Sequence, residues 1–348
     1  MHLYYHFNEK SLLKFLLASY ILMALVLAGL NFGYAPQAPA HIAEIITWWW
    51  HFYENWIKTA YIILGSILTL RLIGGPSKSK MRKNNLKGFI LMALLIHILG
   101  PFLFRNSDLY FFAMPLPWTT IPLQLLEPLS TFYQNFTSLH GLGMISTTLL
   151  FYLALSLLII IGTLLKGRRW QCSTLCLFNG FVSEVFAPAL PLLGSSKKLK
   201  PPSLKFFALL RWFFFALSLA FVAYWLLIIY RLIPTLSLSQ VYQMEIYKYL
   251  LFELLAAMAF WVILSGRAYC HYCPLGTLLA LLGRLASQRI RTDLHRCIQC
   301  GKCDLACPMS IAILEKAKLA KPVQDLNCVA CGHCVDICPT QTLGYTTW

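Results

Sequence analysis

Charge is scarce in this chain. Only 12% of its 348 residues are Asp, Glu, Lys or Arg, where a soluble domain carries about 25%, and acids are the scarcer sign, 13 against 29 bases. With a mean hydropathy of +0.64, that shortage excludes an ordinary soluble domain and points to a membrane protein. The net charge of +16 would suit nucleic acid only on a soluble basic face, and no such face is visible. No nucleic-acid partner is expected; the excess reads as basic loops on one side of a membrane. No cysteine is left over either. Of the twelve, eight lie beyond residue 296 and four form the close pairs Cys172/Cys176 and Cys270/Cys273. A disulfide-stapled secreted domain would be short and not membrane-embedded. Short, regular spacings read instead as metal ligation on the reducing side of a membrane.

Long apolar runs are what the chain has in quantity. Six stretches, near 12–33, 57–73, 88–104, 143–166, 206–232 and 247–265, reach or approach the roughly 20 residues that cross hydrocarbon as a helix. The connection 74–87 carries Lys78, Lys80, Arg82, Lys83 and Lys87, and 166–205 carries Lys166, Arg168, Arg169, Lys197, Lys198, Lys200 and Lys205. The connections 34–56 and 234–246 carry no Lys or Arg, and 105–142 only Arg105. This alternation predicts the cytoplasmic (inner) membrane, with both termini and both basic loops on the cytoplasmic side, in contact with membrane lipid. The first run exceeds a signal-peptide core and reads as an uncleaved anchor. Trp48, Trp49, Trp50, Phe52, Tyr53 and Trp56 read as an interfacial belt. The Pro- and aromatic-rich connection 105–142 is expected to lie in the interface and could roof an apolar pocket. Residues 274–285 read as a short amphipathic helix along the cytoplasmic surface.

The expected fold is therefore an all-α integral membrane bundle of about six transmembrane helices plus a small α+β two-[4Fe-4S] ferredoxin-like module. Its regions are 1–142, with three spans; 143–289, with three spans and both cysteine pairs; and 290–348, the cytoplasmic module.

The module rests on two runs. Cys297, Cys300, Cys303 and Cys307 precede Pro308, and Cys328, Cys331, Cys334 and Cys338 precede Pro339. Both have the C-x2-C-x2-C-x3-C-P spacing of bacterial two-cluster ferredoxins, in which the fourth cysteine ligates the other cluster. Carried over, one [4Fe-4S] cluster takes Cys297, Cys300, Cys303 and Cys338, and the other takes Cys328, Cys331, Cys334 and Cys307. Zinc favours C-x2-C pairs with a longer spacer and fits the runs poorly. Neither run holds a nucleophile or an acid–base pair, so the segment reads as a wire.

The membrane pairs form a weak repeat. Gly167–Arg168–Arg169–Trp170 precedes Cys172 and Cys176, and Gly266–Arg267–Ala268–Tyr269 precedes Cys270 and Cys273. Four thiolates converging at the cytoplasmic membrane face could hold a third iron–sulfur cluster, bind copper, or cycle between dithiol and disulfide.

With these motifs in place, residues 266–308 resemble the NapH/NosR-type membrane polyferredoxins, a resemblance extending roughly over 143–348. Members of that family typically carry C-x3-C-P twice. Here the first pair is C-x3-C followed by Leu177, and the second is C-x2-C followed by Pro274. The resemblance implies a quinol-linked oxidoreductase component, moving electrons between the quinone pool and a protein redox partner or larger complex. A related copper reductase shares the architecture, so metal reduction at the membrane cysteines stays open, as does a non-catalytic wiring subunit. Ionisable residues inside a membrane are rare and often functional. His97 and Glu253 are the candidate quinone or proton-relay pair, against a satisfied bundle-interior pair. Arg211 is expected to snorkel to the inner interface, and no same-depth histidine pair suggests haem. Arg291, Arg296, Lys302, Lys316, Lys318 and Lys321 make the module basic, suiting an acidic partner, anionic lipid or plain solvation.

Overall fold

A computed structural model describes residues 2–74, 80–193, 198–234, 238–319 and 321–348. Lys78 and Lys197 of the basic connections lie outside them. Among the described residues, six helices are long and apolar enough to cross a membrane: Asn8–Gln37, Ala40–Ile73, Lys80–Phe104, Met144–Lys166, Pro201–Ile229 and Gln240–Ile263, the first to sixth spans below. The chain is a multi-pass membrane protein. The first three expected runs fall within these helices; the last three overlap theirs but overrun them at Gly143, at 230–232 and at 264–265. The second and third spans begin well before the expected runs, so Lys80 to Lys87 lie on helix rather than in a loop.

The spans are apolar all round, so hydrophobic periodicity cannot tell core from lipid. Side-chain size and polarity do that instead. On the fourth span Thr148, Tyr152, Leu155, Ile159, Gly162 and Thr163 are buried at helical spacing, whereas Leu150, Leu153, Leu157 and Ile161 are exposed. Small and polar residues face neighbouring helices because close backbone approach drives helix association in lipid.

The connection between the fourth and fifth spans enters the bundle rather than lying on its surface. After Gly167 it forms short helices at Arg169–Cys172 and Asn179–Val185. Phe181, Val182, Val185 and Phe186 are wholly buried, and Thr69 of the second span donates to the Val185 carbonyl at 2.5 Å. Irregular backbone is tolerated at such depth only when protein surrounds it. The helix Pro274–Leu285 exists as expected, but with Leu275, Thr277, Leu279, Ala280 and Gly283 buried it packs against the fourth and fifth spans instead of floating at the surface.

The module pairs β1 (Arg289–Thr292) antiparallel with β2 (Leu343–Thr346), Ile290 facing Tyr345. It is fastened to the membrane half by many bonds. Asn85 donates to the Cys331 carbonyl at 2.9 Å, Ser173 to Val329 at 2.8 Å, Gln288 to Cys328 at 2.9 Å and Thr347 to Leu165 at 3.0 Å. Arg211 does not snorkel. It is buried, donates to the His271 carbonyl at 2.8 Å and also bonds Asn327 of the module. Trp48, Trp49 and Trp56 are exposed in keeping with a belt, but Trp50 and Tyr53 turn inward.

Candidate metal centres and an adjoining membrane cavity

The ferredoxin runs repeat in backbone as well as sequence. Gln299 and Ala330, each two residues past the first cysteine of its run, are left-handed, as are Gly301 and Gly332, then Ser310 and Gln341. At Gly301 and Gly332 only glycine takes φ of 69° and 87° without strain. Alternating hand at successive residues turns amide N–H groups into one concavity, the nest geometry found at anion and iron–sulfur sites. Cys297, Cys300, Cys303 and Cys338 line one such cavity. Cys307, Cys328, Cys331 and Cys334 line the other. The donor sets and backbone fit two cubanes, with the fourth cysteine of each run crossing over.

Most of these thiols are pushed up by burial, Cys303 and Cys307 to about 11. Cys338 is the exception: burial opposes its ionisation, but bonds from Thr342 and Thr340 bring it to about 7. Metal loading would therefore expel protons from most of the set.

The two membrane cysteine pairs come together. Cys172, Cys176, Cys270 and Cys273 are close enough to repel one another when ionised. Arg168 Nε donates to Cys172 Sγ at 3.2 Å, and Asn179 Nδ2 to Cys270 Sγ at 3.0 Å. The Gly276 amide reaches Cys273 Sγ at 3.4 Å. Among the described residues, the one trio of donor atoms mutually within 4.8 Å is Glu184, Cys331 and His333. No three of the four membrane thiols are that close, whereas a single tetrahedral ion holds its sulfurs about 3.8 Å apart. A cubane, which spreads its thiolates over separate corner irons, suits the wider set. The Arg267 Nε, fully buried with no partner, adds a spare donor beside it.

Glu184 is the residue that sequence reasoning missed. It is 1% exposed, accepts from Arg267 Nη2 at 2.6 Å, and meets His333 Nε2 at 3.1 Å. Burial works against its carboxylate, but His333 and Arg267 hold it down to about 2. Burial lowers the His333 imidazole below its usual range, against the pull of Glu184. Arg168 and Arg267 were visible only as the Gly-Arg of the repeat.

A narrow cavity of about 40 Å³ lies beside this centre. His97 lines it, 1% exposed, with neither ring nitrogen bonded to protein. Glu54 and Lys58 line it too, paired at 2.7 Å. Leu175, Leu177 and Phe178 also line it, and they flank Cys176. Tyr110 and Trp118, from the connection 105–142, close another side, as a roof would. Glu253 is not there. It pairs with Lys248 at 3.2 Å and lines a second cavity of about 90 Å³. Phe111, Trp118 and Tyr249 line both cavities and form the wall between them. His97 and Glu253 are thus neighbours across aromatic rings rather than a direct pair. Four π-helical stretches, Gly29–Tyr34, Tyr53–Ile57, Leu94–Leu99 and Lys248–Leu255, supply Phe32, Glu54, His97, Lys248, Tyr249 and Glu253 to these cavities. Such turns gather at functional sites.

Comparison with known proteins gives the same chemistry. Residues 289–339 match the 4Fe-4S dicluster domain family, and residues 148–194 and 249–293 match a 4Fe-4S binding domain family. The putative electron transport protein YccM of Escherichia coli is 38% identical over 73 residues, 21% of this chain and 19% of that protein. The ferredoxin-type protein NapH of E. coli is 30% identical over 102 residues, 27% of this chain and 34% of that one. An uncharacterised Methanocaldococcus jannaschii protein is 29% identical over 101 residues, 29% of this chain and 37% of that one. The chain thus spans about a third or less of the length of these relatives. No solved structure matches it. Iron–sulfur binding follows from these matches.

Proposed function

We propose, on the premise that this chain is a membrane polyferredoxin of the NapH type, that it moves electrons between a membrane quinone and a protein redox partner on the cytoplasmic side. Cys297, Cys300, Cys303 and Cys338 would hold one [4Fe-4S] cluster, and Cys307, Cys328, Cys331 and Cys334 a second. Cys172, Cys176, Cys270 and Cys273 would hold a third. Bound there, the clusters supply one-electron transfer at potentials tuned by the protein.

The observation that carries the quinone reading is the shared cavity wall: His97 and the loop bearing Cys176 line the same space. A mid-span histidine should stand well away from cysteines at the inner face. The re-entrant connection removes that distance. His97 can donate to a quinone carbonyl or take a proton from a quinol hydroxyl, and the Glu54–Lys58 pair can accept or return that proton. A quinone ring needs more room than either cavity offers, and rotation of Trp118 and Tyr249 would join the two. The wider spacing of the membrane thiols favours this reading over a mononuclear copper site.

His97→Leu tests it. Purified protein, loaded and anaerobic, is mixed with a short-chain quinol or quinone, and cluster redox state is followed optically. Loss of one hydrogen bond of about 1.4 kcal/mol raises the apparent Kd about tenfold. Unchanged quinol or quinone dependence in the variant would remove the cavity from the reading. Iron and acid-labile sulfide per chain, compared with a Cys172/Cys176/Cys270/Cys273 to Ser variant, count the clusters.

A further inference from the structure

The four-cysteine site is bracketed by two buried arginines. Arg168 and Arg267 are each 1% exposed, and each precedes a cysteine pair in the Gly-Arg repeat. Their contacts cross over. Arg168 donates through Nε to Cys172 Sγ at 3.2 Å and through Nη2 to the Cys270 carbonyl at 3.0 Å. Arg267 donates through Nη1 to the Cys172 carbonyl at 2.8 Å and lies 3.7 Å from Cys270 Sγ. Each guanidinium therefore ties the two cysteine segments together. Guanidinium stays protonated in proteins, so two positive charges are fixed here, out of water. Among the described residues, one carboxylate, Glu184, is ion-paired with either, at 2.6 Å from Arg267. Among the described residues Arg168 bonds no carboxylate; it meets sulfur and carbonyls instead. Buried charges that are not compensated cost several kcal/mol each. The fold tolerates these two if the occupant of the site is itself anionic.

We infer that Arg168 and Arg267 form a cationic clamp that compensates an anionic thiolate cluster at Cys172, Cys176, Cys270 and Cys273 and raises its reduction potential, with Glu184 trimming the effect. This rests on the third-cluster reading above. Reduction adds negative charge to a cluster, so fixed cations and N–H donors to its sulfurs favour the reduced form. The same arginines face the module. Arg168 Nη1 donates to the Leu326 carbonyl at 2.9 Å, and Glu184 joins Arg267 to His333, between Cys331 and Cys334. The clamp thus spans the membrane centre and the site of Cys307, Cys328, Cys331 and Cys334, and the two are held as neighbours. Electrons from the bundle would enter the module there. They would leave at the other site, where Cys300 is exposed.

The test is an anaerobic redox titration by EPR of the signal that vanishes in the four-cysteine Ser variant. Arg168→Gln, Arg267→Gln, Arg267→Lys and Glu184→Gln are compared with wild type, with iron and sulfide measured throughout. Each Arg→Gln change should lower the reduced-to-oxidised ratio at fixed poise about tenfold, equivalent to about 59 mV for one electron. Arg267→Lys should recover most of that loss. Glu184→Gln should move the ratio the opposite way, which a purely structural role would not do. Full iron with an unmoved ratio, or Glu184→Gln shifting in the same direction as the arginine variants, would overturn the clamp. If the arginine variants lose the cluster, the sign of the Glu184→Gln shift decides alone. Absence of the signal in wild type would overturn the third-cluster reading itself.

Discussion

Asp108 accepts from two histidines, His51 Nε2 at 2.8 Å and His140 Nε2 at 3.2 Å, and so joins the second span to the Thr131–His140 helix. Burial works against its carboxylate, but the bonds from His140 and His51 outweigh it and hold the group well below the usual carboxylate range. The folded value lies below the unfolded one, about 3.9, so the stabilisation is complete above that pH and is lost as pH falls through the folded value. Asp108→Asn should therefore lower stability at neutral pH by about 2–4 kcal/mol, read as a fall in Tm in detergent. The wild-type advantage should shrink only in acid; an equal advantage at pH 7 and well below pH 3 would contradict the assignment. Their common partner was not legible in the sequence, because Asp108 is 57 and 32 residues from the two histidines. Arg211 carries the same lesson. A cation near a helix end reads as a snorkelling side chain, and the His271 carbonyl together with Asn327 from the module gives it a reason to stay buried.

At the scale of elements, the six spans were legible because length and apolarity are local properties. The π-helical stretches were not. Each is an extra residue absorbed within a span, and its signal is a polar side chain whose partner lies on another helix. Glu54, His97, Lys248 and Glu253 look like scattered exceptions until those turns direct them into two adjoining cavities. The re-entrant connection was hidden for a similar reason: its basic flanks follow the loop rule, while Phe181, Val182, Val185 and Phe186 between them follow core chemistry. Gly180 sits hard against the first cysteine pair. A Cβ there would lie 2.7 Å from the Cys172 carbonyl oxygen and 2.7 Å from Cys176 Cβ. Gly180→Ala must move backbone that positions two of the four membrane thiols, at a cost of about 1–3 kcal/mol. We expect it to lose iron selectively from the membrane centre, leaving the ferredoxin EPR signals. Iron content equal to wild type would mean that the cysteine loop has slack to give.

At the scale of the whole molecule, the ferredoxin spacing made the 4Fe-4S segment readable as a module, and in that respect sequence was a partial guide. The runs of Cys297 and Cys328 specify the metal sites locally, but nothing local records that Asn85 of the third span, Arg168 and Ser173 of the re-entrant connection, and Arg211 of the fifth span bond the 326–331 segment. Those bonds end on the backbone and side chains of the loop that wraps the Cys328–Cys334 site, so the order of that loop is shared between metal and membrane. A small metal domain draws much of its folding free energy from its metal. Here the consequence should reach further. Removing that cluster with Cys328→Ser and Cys331→Ser would release the loop, leaving the Arg168 and Arg211 guanidiniums short of acceptors inside the protein, where an unpaired buried donor is costly. The thermal transition of the membrane half, followed by far-UV circular dichroism in detergent, should then fall together with the module. The corresponding Cys297→Ser, Cys300→Ser change, at the site whose second cysteine is exposed, should lower it much less. Equal effects from the two pairs, or a membrane transition indifferent to both, would show that the module hangs from the bundle as a tethered domain.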